Sequence, residues 1–419
     1  MLKRQGLFVI GAMIMLFAAL HIAFASEAHD TRTTMTTMLG GVAFILMTAS
    51  IVLSTRLPVF ENLFGGLDRV YQVHRVAGVF AAIFALVHFF GVPKELPAGV
   101  DPIAQAIFPS APLGMLGLIF LVIGLFVALN RKIRYSRWRP THKIMGLVYG
   151  LIIGHFMMAP AIFFERFSAS GFLLIALAVI GVVALVYSVF GLNKRTAKRF
   201  KLEAVNAMER ATELVLKPVD GGFDYKPGQF AFVEVQGKGW NEPHPFTISS
   251  APSENSLRFT IKVLGDWTRQ VREELTPGTE VLVRGPYGRF DPAKSGTKQI
   301  WLAGGIGLTP FLSSMRAMQP GDPRQIHLVY AAREEKDAIF LDELKARAAE
   351  LGNVTLVPLF SNEGNFARVD MMQQKLPDPL DTYEYFLCGP KPMIDGLVKD
   401  LQKAGVPRSK LHTEAFEFR

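Results

Sequence analysis

The chain has 419 residues, half of them hydrophobic, with 45 Lys and Arg against 36 Asp and Glu and a net charge of +9 at pH 7. That length holds two or three domains, and so apolar a composition argues against an ordinary soluble protein. The positive charge lies mostly beside apolar runs and not in a stripe interleaved with aromatics, which argues against nucleic-acid binding, and the single cysteine, Cys388, excludes an intramolecular disulfide or a cysteine-rich metal site.

Residues 1–192 carry long uncharged runs, whereas 193–419 mix charges, turns and short β-branched stretches, so a first boundary falls near Asn193. Six apolar segments, about 7–25, 36–54, 71–91, 112–130, 142–163 and 172–191, are long enough to cross a hydrocarbon layer of roughly 30 Å. Their connectors alternate in charge. Lys3 and Arg4, then Arg56 and Arg69, then Arg131, Lys132, Arg134, Arg137, Arg139 and Lys143, and finally Lys194, Arg195, Lys198, Arg199 and Lys201 mark one side as cytoplasmic. With an even number of spans both termini share that side, and the polar half sits in the reducing cytosol. Residues 1–25 also read as a cleaved signal peptide ending in Ala23-Phe24-Ala25, which would leave the remaining topology unchanged.

Ionisable side chains are costly at membrane depth, yet His74 and His88 share the third span and His142 and His155 the fifth. Separations of 14 and 13 residues correspond to roughly 20 Å along a helix. The two spans run in the same direction, so His74 should face His142 and His88 should face His155, giving two bis-histidine haem sites in the bilayer. Gly78, and Gly146, Gly150 and Gly154 at four-residue intervals, can let a flat macrocycle approach the backbone. Fourteen steps of about 100° return nearly to the same helix face, but 13 miss it by roughly 140°, so the fifth helix must be distorted or present its ligands from different sides. Any one of these histidines could instead bond to a neighbouring helix. His21 has no partner at matching spacing, and His29 reads as a loop residue.

From 211 to 290, short strands alternate with turn signals such as Lys226-Pro227-Gly228 and Thr276-Pro277-Gly278, as in a small antiparallel barrel. Within it His244-Pro245-Phe246-Thr247-Ile248-Ser249-Ser250 sets hydroxyls and amides beside an aromatic. That surface suits a flavin and its ribityl phosphate, or is an ordinary polar strand edge. Lys262 and Arg269 follow and can neutralise a pyrophosphate. At Ile300-Trp301-Leu302-Ala303 an apolar strand enters Gly304-Gly305-Ile306-Gly307-Leu308-Thr309-Pro310, whose amides and following helix can receive a nucleotide pyrophosphate, although the third glycine of the usual fingerprint is missing. Strands at 326–330, 354–359 and 385–388 alternate with helical stretches at 340–350 and 391–404, the pattern of a parallel sheet. Cys388-Gly389-Pro390 ends the last strand, where open α/β sheets bind ligands, so Cys388 either faces a bound nicotinamide or is a buried core cysteine. Arg333, just past a strand end, can meet a 2′-phosphate or lie idle on the surface.

In this order the motifs resemble the NADPH oxidase and ferric reductase superfamily, especially its bacterial NADPH oxidase homologues, over nearly the whole chain. The resemblance rests on the paired histidines, His244 to Thr247, Gly265-Asp266-Trp267-Thr268, Gly285-Pro286-Tyr287-Gly288, Gly304 to Pro310 and Leu387-Cys388-Gly389-Pro390. It implies a six-helix transmembrane domain with two b-type haems (1–192), an FAD-binding β-barrel (193–297) and an NAD(P)H-binding α/β domain (298–419), in a bacterial inner membrane. It also implies flavin contacts at His244, Pro245, Phe246 and Thr247, and Lys262 against the FAD phosphates. A C-terminal aromatic would cover the flavin ring, Phe418 or, because Arg419 follows it, Phe416. Electrons would pass from NADPH or NADH through the flavin, which splits a hydride into single electrons, to the haem at His74 and His142, then to that at His88 and His155. The resemblance favours dioxygen, leaving as superoxide, as the acceptor, with a ferric chelate or a periplasmic redox protein as alternatives and an inactive haem-binding membrane sensor as a reading of another class.

Overall fold

The computed structural model describes residues 3–24, 30–93, 110–130, 132–133, 135–160, 164–191, 197–237, 239–240 and 242–414. They fall into two compact units that divide between Arg195 and Thr196.

The first unit is helical: α1 (Gln5–Ala23), α2 (Thr31–Leu53), α3 (Pro58–Phe64), α4 (Leu67–Gly91), α5 (Ser110–Leu129), α6 (Tyr135–His142), α7 (Met145–Met157) and α8 (Ala169–Val189). Among the described residues five of these, α1, α2, α4, α5 and α8, are long and apolar enough to cross a membrane. They carry apolar side chains on their outer faces, where Phe8, Phe90 and Phe126 are largely exposed, which water would penalise and lipid accepts. α2 is the exception. Most of its surface is covered, because α1, α4 and α8 all pack on it, and Asp30 caps its start by accepting the Thr33 amide at 2.7 Å. α1 joins this bundle through Phe17, which fills the space opposite Gly41, and through His21, whose Nε2 lies 3.0 Å from Thr37 Oγ1.

The expected fifth span is not one helix. Pro140, which has no amide to donate, lies within α6, and across Lys143, Ile144 and Gly146 the amides bond three residues back instead of four. The 13 residues of α7 rise only about 20 Å. This break removes the conflict of a 13-residue separation, since His142 ends α6 while His155 lies in α7.

The second unit opens with a six-stranded antiparallel sheet of β1 (Lys198–Ala207), β2 (Ala211–Pro218), β3 (Phe230–Val235), β4 (His244–Thr247), β5 (Leu257–Lys262) and β6 (Glu280–Tyr287). The order β4-β3-β6-β1-β2-β5, with a bridge between Ile248 and Phe259, curls it into a nearly closed barrel around Phe200, Leu214, Val233 and Phe259. Strand β1 was not expected. Lys198, Arg199 and Lys201, assigned above to a membrane connector, belong to it and alternate with the buried Phe200 and Leu202.

After the barrel's one helix, α9 (Asp266–Glu274), come β7 (Lys298–Gly304), α10 (Thr309–Ala317), β8 (Gln325–Ala332), α11 (Leu341–Leu351), β9 (Val354–Phe360), α12 (Val369–Lys375), β10 (Glu384–Cys388), α13 (Lys391–Lys403) and β11 (Leu411–Glu414). The five strands are parallel in the order β11-β10-β7-β8-β9. The chain leaves β7 toward β8 on one side, and β10 returns on the other. The sheet therefore has its topological switch point between the ends of β7 and β10, where such folds open a crevice.

Candidate functional site

In the helical unit the four histidines form two opposed pairs. The His74 and His142 ring centres are 6.1 Å apart with planes at 71°, and those of His88 and His155 are 6.0 Å apart at 72°. Two imidazoles bound through one nitrogen each to a shared metal ion, at about 2 Å per bond, would have ring centres about 6 Å apart. Three rings are locked from behind. His74 Nδ1 donates to Ser50 O at 2.9 Å, His88 Nδ1 to Thr36 O at 2.8 Å and His155 Nδ1 to Ser110 O at 2.7 Å. A carbonyl only accepts, so each Nδ1 carries the proton and each Nε2 presents a lone pair, the usual arrangement behind a metal-bound histidine. The Ser50 hydroxyl adds a contact to His74 Nδ1 at 2.9 Å. His142 differs: its Nδ1 is buried with no hydrogen-bond partner among the described residues, and its ring is stacked on Trp138 with centres 5.1 Å apart.

The glycines that make room here are not those expected. A Cβ on Gly40 would stand 2.9 Å from His88 Nδ1 and one on Gly114 2.7 Å from His155 Nδ1, so both rings reach a helix backbone only because these positions have no side chain. Each glycine lies four residues after the carbonyl that its histidine uses, Thr36 or Ser110. Gly150 does face open space and Gly78 nearly so, whereas Gly146 and Gly154 are packed against Leu185 and Leu113. Around the second pair lies a cavity of 620 Å³, lined mainly by apolar groups including Phe44, Leu121 and Phe156, with Gly40 and Gly114 in its wall. Opposed Nε2 atoms, an apolar enclosure and glycine walls fit a haem at this pair. The first pair has the same ring geometry, with its ring anchored on one side only, where Ser50 O and Ser50 Oγ both meet His74 Nδ1.

In the second unit β4 brings His244 and Phe246 against Trp267 of α9, with ring centres at 4.0 and 5.7 Å, and Trp240, which sequence reasoning missed, stands 6.1 Å from Trp267. Trp267 Nε1 is buried without a hydrogen-bond partner among the described residues, a donor left for a ligand beside an aromatic shelf, which fits a flavin. Pro245 is half-buried on β4 and Thr247 is buried at its end. Two expected contacts are otherwise engaged. Ser249 is wholly buried, with its hydroxyl accepting from Thr260 at 3.0 Å, so it has no surface to offer a cofactor. Thr268 caps the start of α9, its Oγ1 accepting the amides of Leu264 and Gly265.

At the switch point Gly304 ends β7, and Gly305 turns the chain with φ +53° into Gly307, where a Cβ would come within 2.2 Å of Cys388 O. The two loops, 304–307 and 388–390, thus touch backbone to backbone, and Thr309 and Pro310 start α10 behind them while Pro390 leads into α13. A crevice of 120 Å³ beside this turn gathers Lys262, Arg210 and Arg333 with Gly305, Ile306 and Asp337. Arg210 is paired with Asp337 at 2.6 Å, which leaves Lys262 and Arg333 by a glycine turn at a helix start, a setting that suits phosphates. Cys388 is wholly buried in the core, and its thiol is pushed well up from its ordinary pKa by burial first and then by the Glu414 carboxylate, so it is a neutral thiol without surface toward a nicotinamide in this conformation. Phe416 and Phe418 lie outside the described residues.

Three family models match in chain order: the ferric reductase like transmembrane component over residues 39–153, the FAD-binding domain over 197–291 and the oxidoreductase NAD-binding domain over 301–399. The chain has the architecture of the NADPH oxidase and ferric reductase superfamily. It is a flavoprotein-type oxidoreductase in its second half. There it is similar to the reductase component of propane 2-monooxygenase from Rhodococcus jostii, 29% identical over 48% of this chain and 59% of that protein. It is also similar to the glycine betaine monooxygenase reductase subunit of Pseudomonas aeruginosa, 32% identical over 46% and 57%. The chain thus spans less than two thirds of the length of these curated relatives. A solved flavohemoglobin from Malassezia yamatoensis, with bound FAD and heme, shares the fold over 93% of this chain and 99% of its own, with a TM-score of 0.52 and 17% identity.

Proposed function

We propose that this chain is a transmembrane NAD(P)H oxidase that carries electrons from NAD(P)H through FAD and two bis-histidine b-type haems to dioxygen, releasing superoxide. The observation that carries this reading is the pair of imidazole couples with ring centres 6.1 and 6.0 Å apart, set about 20 Å from each other along α4. When bound, FAD would supply the exchange between a two-electron hydride and single electrons, and haem would supply one-electron transfer.

The chain's own residues do the rest. His244, Phe246 and Trp267 would hold the flavin ring against the barrel, and Lys262 and Arg333, beside an Arg210 paired with Asp337, would balance the phosphates at the Gly304–Gly307 turn. His74 with His142 and His88 with His155 take one haem each, and the carbonyls of Ser50, Thr36 and Ser110 hold their donors in the ligating tautomer. The domain limits follow as 1–192, 193–297 and 298–419. The basic connectors support a cytoplasmic side for both termini, from which an inside-negative potential would favour outward electron movement by about 2.3 kcal/mol per 100 mV for a full crossing.

The test is to purify the full chain in detergent, add FAD and NADPH or NADH without oxygen, and record the haem spectrum before and after admitting oxygen with a superoxide probe. Haem reduction, then reoxidation with a probe signal abolished by superoxide dismutase, is the expected result. Fast reduction of a ferric chelate with slow oxygen uptake would make it a metal reductase instead. A preparation without haem would overturn the reading.

A further inference from the structure

The helix behind the glycine turn is tied to the barrel at two successive carbonyls. On α10 the wholly buried Ser313 donates to Ser250 O at 2.6 Å, and Arg316 donates Nη1–H to Ser249 O at 2.9 Å. The remaining guanidinium edge is a fork on Glu343 of α11, with Nε 2.6 Å from Oε1 and Nη2 2.8 Å from Oε2, and its carbon stands 5.1 Å from the centre of the Phe340 ring. Phe340 has φ +58°, a left-handed backbone unfavourable for a bulky side chain, so the 333–343 segment is held in a shape that it would not take unaided. Nη1 also lies 3.6 Å from the buried Glu213 of β2.

One side chain therefore joins the strand end that follows Thr247, the helix that starts at the glycine turn, and the segment whose Arg333, Asp337 and Ile339 line the crevice. Only a planar fork can hold a carboxylate with one edge and a carbonyl with the next, which a lysine cannot reproduce.

We propose that Arg316 is a positioning residue for hydride transfer, holding the nucleotide-side segment in register with the flavin-side strand. The inference rests on the reading that NAD(P)H reduces a flavin in this unit. In that step a hydride leaves the nicotinamide ring and joins the flavin, NAD(P)⁺ departs, and Arg316 exchanges no atom or electron. Its contribution is alignment, and small misplacement of reacting atoms has large kinetic effects.

The experiment follows anaerobic flavin reduction by stopped flow in the full FAD-loaded chain, with protiated and 4-deuterated NADPH, for wild type, Arg316→Lys and Glu343→Gln. Arg316→Met serves as a third variant, although Glu213 left buried opposite it threatens folding. Arg316→Lys should reduce its flavin at least about tenfold more slowly at saturating NADPH, with an enlarged isotope effect, unchanged FAD content and a nucleotide Kd within about threefold of wild type. Glu343→Gln should fall between. Unchanged reduction rates with lower thermal stability would make Arg316 only a structural tie and overturn the proposal. A weakened Kd at an unchanged saturated rate would overturn it in favour of a binding role. If the wild-type flavin itself is not reduced by NADPH or NADH, the underlying reading falls first.

Discussion

The two histidine pairs have almost the same ring separation and angle, but they are built differently. The second pair, His88 and His155, is locked on both sides by backbone carbonyls and backed by Gly40 and Gly114. The first is locked on one side, at His74, while His142 leans on Trp138 at a helix break with no partner for its Nδ1 among the described residues. Equal ligand geometry therefore need not mean equal hold on a haem, because the hydrogen bond behind an imidazole fixes its tautomer and orientation.

The largest test of this difference removes a ligand. His155→Ala should lower haem content from two per chain to one, and His142→Ala should do the same for the other site, both read by pyridine haemochrome assay. Loss of both haems from either variant would mean that the pairs are not independent. Next, Gly114→Ala puts a methyl 2.7 Å from His155 Nδ1 and should weaken the second site by about 10- to 100-fold in haem affinity while the first keeps its spectrum. Gly150→Ala, with open space around it, should leave both intact. Trp138→Ala should loosen only the first site, by up to about tenfold in affinity, seen as faster haem loss to apomyoglobin. The smallest effect belongs to Ser50→Ala, which removes the hydroxyl but keeps the carbonyl, and should shift the first haem's binding by no more than about 1 kcal/mol. A larger effect there than at Trp138 would reverse the view that His142 is the weaker ligand.

Much of the fold is legible because its signals are long or repeated. Apolar runs of about twenty residues mark α1, α2, α4, α5 and α8, and strand–turn–helix alternation after residue 299 marks the parallel sheet. The misses have local causes. β1 was hidden because Lys198, Arg199 and Lys201 look like the basic flank of a membrane span, although two-residue alternation with Phe200 and Leu202 was there to read. The break after His142 is a local change to three-residue bonding across 143–146, which an apolar run in the sequence reading on to residue 163 hides. At the candidate site the imidazoles announce themselves by type and spacing. Their carbonyl partners do not, since any residue supplies a carbonyl, and only Gly40 and Gly114 leave a trace. Ser249 and Thr268 look like polar ligands in a sequence, whereas a hydroxyl's commonest employment is within its own chain.

The break between α6 and α7 also bears on how the two halves of this ligand set can tolerate change in length. On α4 one continuous helix joins His74 to His88, so adding or deleting a single residue between them would swing one imidazole by about 100° and shift it by about 1.5 Å relative to the other. Between His142 and His155 the turn at 143–146 can absorb such a slip by rewinding. Insertions and deletions among natural variants should therefore be tolerated just after His142 and be absent between His74 and His88, a length polymorphism confined to one of two otherwise equivalent rails.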